Sequence, residues 1–264
     1  MEDKEFEVLL SACAEVAQLF PDGVAYIGGI AVYLHAKNAP KTSELAEFTH
    51  DADFYISFAD MGDLRDIEEV TPNRRLSKHQ MVKRGFEFDI YTERQASLIV
   101  PYDLVIAHSK VYEGIRVASL EHLLVLKLEA FADRKGSAKG DKDAKDLLRI
   151  AAVAANSKEG FRAELMAPYL RDEHMALLDA VERGPQVLSL AQGNAMVAKN
   201  LRSQFAKVVD AIKHAASTQA APPAKPDPKA PLPPSLGRGV FSPRAAAIER
   251  KKPSPAKSKL RKPG

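Results

Sequence analysis

Hydrophobic positions along the chain change period more than once. From residue 6 to 20, Val8, Leu9, Ala12, Val16 and Phe20 follow helical spacing, and Pro21-Asp22-Gly23 ends the run. Val24–Ile27 is a continuous apolar run that predicts a short buried strand. Gly28-Gly29 then allows a tight turn into a helix over residues 30–37. Residues 38–48 are polar, contain Pro40 and have no clear period, so they predict a loop. A second strand is expected over residues 51–58, and a short helix over residues 60–70, stopped before Pro72. Lys78–Lys83 and Phe86–Thr92 flank the two-residue turn Arg84-Gly85, the pattern of a hairpin. In its second arm Phe86, Phe88 and Ile90 alternate with Glu87, Asp89 and Tyr91, which puts Asp89 on the polar face. Residues 109–118 predict another hairpin, turning at Glu113-Gly114.

Beyond residue 118 the period becomes helical. Ser119 is a suitable N-cap for Leu120–Arg134, which carries Leu123, Leu124, Leu126, Leu128 and Phe131. A Gly- and Lys-rich loop over 135–140 precedes a helix over 141–155, and further helices are expected over 160–170, Asp172–Arg183 and 193–216. The pattern describes an α+β protein: a small mixed sheet in residues 1–118, a helical domain in 119–216 and a tail over 217–264.

Composition changes this picture in one place. Of the 264 residues, 45% are apolar and 28% charged, enough for a sizeable core and a charged surface. The formal charge of +3 is unevenly spread. Residues 221–264 contain eleven Lys or Arg against Asp227 and Glu249, a balance of +9, so residues 1–220 carry +3 less +9, or −6. Eleven of the 17 prolines also fall in this segment. So little apolar surface cannot offset ordering entropy, and the tail is expected to be disordered. It reads either as a basic arm for nucleic acid or as a solubilising tail. One cysteine, Cys13, excludes an internal disulfide framework and fits the apolar side of the first helix. No apolar run approaches the length of a membrane span, and Met1-Glu2-Asp3-Lys4-Glu5 is unlike a secretory signal, so a cytoplasmic protein is expected.

Candidate chemistry centres on Thr49-His50-Asp51-Ala52-Asp53. On a strand, Asp51 and Asp53 point to one face, roughly 6–7 Å apart along the chain, while Ala52, Phe54 and Ile56 face the core. Adjacent carboxylates repel unless a cation lies between them. An oxygen-only set suits Mg²⁺ or Mn²⁺. Asp89 joins the pair if the two strands are neighbours, with Glu87 as the alternative third acid. Gly28 and Gly29 would let phosphate oxygens approach backbone N–H groups at a helix start. The histidines show no zinc-type spacing, and His50 faces away from the acids as a packed or capping residue.

Strand, Gly-Gly, helix, a strand with Thr-x-Asp-x-Asp, then a strand with another Asp: this order resembles the nucleotidyltransferase superfamily that includes DNA polymerase beta. Within it the chain looks most like the bacterial AbiEii-type toxin branch. Lys127-Leu128-Glu129-Ala130-Phe131-Ala132-Asp133-Arg134 and Lys142-Asp143-Ala144-Lys145-Asp146-Leu147 are similar to that branch's paired helical motifs. The resemblance spans residues 24 to 150. It implies that Asp51 and Asp53 hold two Mg²⁺ ions, with Asp89 bridging as third carboxylate or acting as base. It also implies that Gly28, Gly29 and Thr49 line the nucleotide, that Lys127 contacts the triphosphate, and that Asp143 or Asp146 fixes Lys127 or the nucleotide. One departure is Ile30, where the family commonly has Ser or Thr.

The expected activity is Mg²⁺-dependent transfer of a nucleoside monophosphate from an NTP to a hydroxyl on RNA, protein or a small molecule. The resemblance favours RNA or protein as acceptor, a role as a toxin or in phage defence, and an antitoxin partner. The alternatives are a nucleic-acid-binding protein without turnover, suggested by Ile30 and the basic tail, or a scaffold whose helical half binds an antitoxin. Bland readings also exist for the helical residues: Lys127 extending into solvent, and Asp143 and Asp146 as surface acids paired with Lys139, Lys142 or Arg149.

Overall fold

A computed structural model of the chain describes residues 3–93 and 98–218. The expected tail over 217–264 therefore lies almost entirely outside the described residues. The described part is α+β. Its elements are α1 (Asp3–Leu19), β1 (Val24–Ile27), α2 (Gly28–Asn38), β2 (Asp51–Ile56), α3 (Phe58–Ile67), β3 (Thr71–Asn73), β4 (Lys78–Lys83) and β5 (Phe86–Thr92). Next come α4 (Tyr102–Ala107), β6 (Lys110–Tyr112), β7 (Ile115–Val117), α5 (Leu120–Arg134), α6 (Ala138–Asn156), α7 (Asp172–Arg183), α8 (Gln186–Leu190) and α9 (Ala195–Thr218).

Seven strands form one mixed sheet in the order β3-β4-β5-β2-β1-β7-β6. β2 runs antiparallel to β1 and parallel to β5, while β1 is parallel to β7. Both hairpins turn where the two-residue signals place them, with Lys83 opposite Phe86 and Tyr112 opposite Ile115. Beyond its acids β2 is covered on both faces: Ala52, Phe54 and Ile56 are fully buried on one, and Tyr55 on the other donates to the carbonyl of Val100 at 2.7 Å. Burial on both faces, with β-branched and aromatic side chains, suits this strand to its place in the middle of the sheet.

α2 sits between the sheet and the helical half, packing on β2, α5 and α6. Ile30, the departure from the family's hydroxyl, is fully buried in this layer, so the core takes the position that a hydroxyl would otherwise hold. His35, also on α2, bonds the carbonyl of Ala118 through Nε2 at 2.7 Å and meets the Tyr112 hydroxyl at Nδ1. Burial pushes its pKa down to about 4 despite that backbone bond, so it is a neutral core clamp. Cys13 is buried, as its helical position implies.

Several boundaries differ from the pattern, each for a local reason. β2 stops at Ile56 because Ser57 caps α3, its hydroxyl accepting from the Asp60 N–H at 3.0 Å. α3 consequently starts at Phe58 and ends at Ile67 rather than covering 60–70. Ser137 caps α6 in the same way, starting that helix inside the expected loop. The helix expected over 160–170 is instead two single 3₁₀ turns, Ala163–Leu165 and Ala167–Tyr169. Pro168 lacks the N–H a continuing helix needs. The polar stretch at 38–48 is not a free loop: it holds a 3₁₀ turn, Ser43–Leu45, and Phe48 stacks on Phe6 of α1 at 4.4 Å. β3, α4 and α8 carry too short a signal to be seen in the sequence. Among the described residues no helix is long and apolar enough to cross a membrane.

Candidate active site

β2 and β5 are neighbours, and their parallel register sets Asp53 directly opposite Asp89. Asp51 is opposite Glu87, which is exposed. Neighbouring strands lie about 4.8 Å apart, so three carboxylates share one patch at the end of the sheet where α2 begins. Asp51 is at the open edge and Asp53 is partly buried beneath it.

The glycine pair serves the acids as much as any ligand. Gly28 has φ +68°, and a Cβ there would lie 2.2 Å from Asp53 Oδ2. A Cβ on Gly29 would lie 2.7 Å from the Thr49 hydroxyl. The first turn of α2 is thus bare backbone against β2, and Ile27 at the N-cap supplies no side-chain acceptor to it. The N-terminal end of α2, with the positive end of its dipole, therefore lies beside Asp53.

Electrostatics separate the two acids of β2. Burial, and then the charges of Asp51 and Asp89, push Asp53 up to about 7 against the weaker pull of Lys127 and Lys78. Burial also acts to raise Asp51, yet its carboxyl is held below the usual range. The Thr49 hydroxyl donates to Asp51 Oδ1 at 2.7 Å, and Lys142, Lys127 and Lys139 add positive potential. Lys142 itself donates to the Thr49 hydroxyl at 3.2 Å. Thr49 is therefore a bridge from α6 to the acid pair.

Asp89 is engaged differently. Lys78 forms an ion pair with its Oδ2, and the Gln80 amide donates to its Oδ1 at 3.0 Å. Asn73 of β3 in turn donates to Gln80 Oε1 at 2.9 Å, which fixes the direction of the Gln80 amide. Asp51 and Asp53 offer an oxygen-only donor set, the kind that fits Mg²⁺ or Mn²⁺. The full trio fits less well, because Asp89 already serves a lysine and an amide. Among the described residues no three His, Cys, Asp or Glu side chains are arranged to hold a metal ion.

Lys127, Asp143 and Asp146 form one buried cluster rather than a solvated surface. Lys127 is only 8% exposed, and its ammonium lies 2.7 Å from Asp146 Oδ2 and 3.3 Å from Asp143 Oδ1. Burial alone would lower its pKa, but the two aspartates, with Asp53 behind them, outweigh it and hold Lys127 charged. Arg134 pairs with Asp143, and Arg149 donates to Asp146 at 2.9 Å and to the Leu45 carbonyl at 2.8 Å. Asp146 stays ionised below the usual carboxylate range: burial pushes it up, and Lys127 and Arg149 overcome that. Asp143 and Asp146 both contact the Lys127 ammonium.

The sequence reading missed Lys78, Gln80, Arg134 and the Thr49–Lys142 bond as parts of this region. Lys78 and Gln80 had a usable signal. A two-residue turn at Arg84-Gly85 sets Gln80 opposite Asp89, and Lys78 lies two residues farther along the same face. His50, expected to be packed or capping, is exposed.

No protein-family model and no curated protein matches the chain in sequence. Solved structures with a similar fold include JHP933 from Helicobacter pylori, at TM-score 0.48 and 16% identity over 83% of this chain and 97% of that one. An antigenic nucleotidyltransferase-like protein from Paracoccidioides brasiliensis is similar at TM-score 0.45 and 19% identity, over 74% and 95% of the two chains. The Megavirus polyadenylate synthase is similar at TM-score 0.40 and 12% identity, over 67% of this chain and 38% of that chain.

Proposed function

We propose that this protein is a divalent-cation-dependent nucleotidyltransferase that moves a nucleoside monophosphate from an NTP onto a hydroxyl of RNA or protein. The observation that carries this reading is the register of Asp53 against Asp89, with Asp51 beside them over an uncapped helix N-terminus. Asp51 and Asp53 would hold Mg²⁺ or Mn²⁺. The chemistry supplied by such a bound ion is neutralisation of the triphosphate and stabilisation of the attacking and leaving oxygens of an in-line displacement.

The chain's own residues supply the rest. The bare first turn of α2 at Gly28-Gly29 offers backbone N–H donors to phosphate oxygens. Thr49 and Lys142 bracket Asp51 and orient its carboxylate. Lys127, held charged by Asp143 and Asp146, directs positive potential at Asp53 and at a phosphate bound over it. Asp89, oriented by Lys78 and Gln80, takes the proton from the attacking hydroxyl. The resemblance to AbiEii-type proteins adds a toxin or phage-defence role with an antitoxin partner in the same cell compartment, the cytoplasm.

The test is a labelling reaction with each NTP, Mg²⁺ and total RNA or cell protein. The expected result is incorporation by the wild-type chain and loss of at least a hundredfold, on the scale of removing a metal ligand, in Asp51→Ala and Asp53→Ala. Equal labelling by all three proteins would overturn the assignment to this site.

A further inference from the structure

Lys78 and Gln80 belong to β4, a strand that none of the motifs includes, yet both side chains end on Asp89. Only 11% of the Lys78 side chain and 18% of the Asp89 side chain are exposed, so the pair is shielded from competing ions in bulk solvent. The network has a fixed direction. The Leu76 N–H donates to Asn73 Oδ1 at 3.3 Å, so the Asn73 amide must point to Gln80, whose own amide must then point to Asp89. Both Asp89 oxygens are therefore committed to donors on the β4 side of the patch.

The other two acids are held differently. Asp51 accepts from the Thr49 hydroxyl, and Lys142 reaches that hydroxyl rather than the carboxylate. Lys127 is bonded to Asp143 and Asp146 and acts on Asp53 only through its field. Among the described residues, Lys78 is thus the cation paired directly with an acid of the patch.

Building on the function proposed above, we infer that Lys78 is a fixed cation on Asp89, so that the patch binds one divalent ion through Asp51 and Asp53. Asp89 is then a positioned proton acceptor and not a metal ligand. The patch trades a second exchangeable ion for a permanent ammonium.

The test counts bound Mn²⁺ by loss of the free-ion EPR signal on the full-length protein, without nucleotide. The wild-type chain is expected to bind one ion, Asp53→Asn none, and Asp89→Asn still one, with affinity within about threefold of wild type. Lys78→Met is expected to gain a second ion, and the charge-keeping Lys78→Arg to stay at one. Two ions on the wild-type chain, or loss of the ion in Asp89→Asn, would overturn this inference while leaving the proposed activity standing. No ion on the wild-type chain would overturn both. Should Lys78→Met fail to fold, Asp89→Asn and Lys78→Arg still decide the question.

Discussion

Asp53 fills the space that a side chain on Gly28 would need: a Cβ on the glycine would sit 2.2 Å from the carboxylate oxygen Oδ2. Gly28 is also at φ +68°, where a side chain is strained whatever surrounds it. Gly28→Ala should therefore cost about 1–3 kcal/mol of stability and displace the Asp53 carboxylate. Part of that cost should be relieved in the double variant Gly28→Ala/Asp53→Ala, because contacting residues couple by about 0.5–3 kcal/mol. Denaturant unfolding of the two single variants and the double variant checks this; strict additivity would show that the two residues do not clash.

Asp53 makes the stability of the metal-free protein depend on pH in an identifiable window. Its ordinary pKa is 3.8 and its folded value about 7. Below the first value it is protonated in both states. Between the two, the unfolded chain loses the proton that the folded chain keeps, so its contribution is lost as pH rises toward 7. Asp53→Asn removes this titration. In EDTA its melting temperature should exceed that of the wild type more at pH 8 than at pH 4. A difference independent of pH would mean that Asp53 is not charge-stressed.

The cluster around Lys127 should be costly to open from one side. Asp146→Ala leaves Lys127 and Arg149 buried with one fewer counter-charge, which should cost on the order of 3 kcal/mol. Asp179→Ala breaks the exposed pair with Lys213 and should cost under about 1 kcal/mol. Urea unfolding of both variants compares them directly, and equal costs would place the Lys127 cluster effectively in solvent.

Residues 221–264, with their balance of +9, lead to a separate expectation. If they touch nucleic acid through phosphates, removing them should weaken RNA binding and flatten its salt dependence by about 0.7 for each phosphate that is no longer neutralised. Filter binding at several salt concentrations measures both. Unchanged binding and slope after truncation would make the segment a solubilising tail.

Much of the architecture was legible along the chain, because local signals dominate there. The hairpin at Arg84-Gly85, the Ser119 cap and the amphipathic helices all rest on interactions within a few residues. Failures came where a distant partner or a single residue redirected the backbone. Pro168 interrupted the helix expected over 160–170, and Phe48 turned a polar loop into a packed segment. Of the site, the Asp51–Asp53 pair follows from strand period alone.

What the amino-acid order determined by itself was thus the type of the longer elements, the face on which each acid falls, and the Gln80–Asp89 pairing implicit in a two-residue turn. Each of these depends on neighbours along the backbone. Only the tertiary structure decided that β5 lies beside β2 in a register opposing Asp53 to Asp89, since parallel pairing of separated strands is set by core packing rather than by a turn. It also decided that Lys127 is buried between Asp143 and Asp146, because burial of a charged side chain depends on which helices close over it.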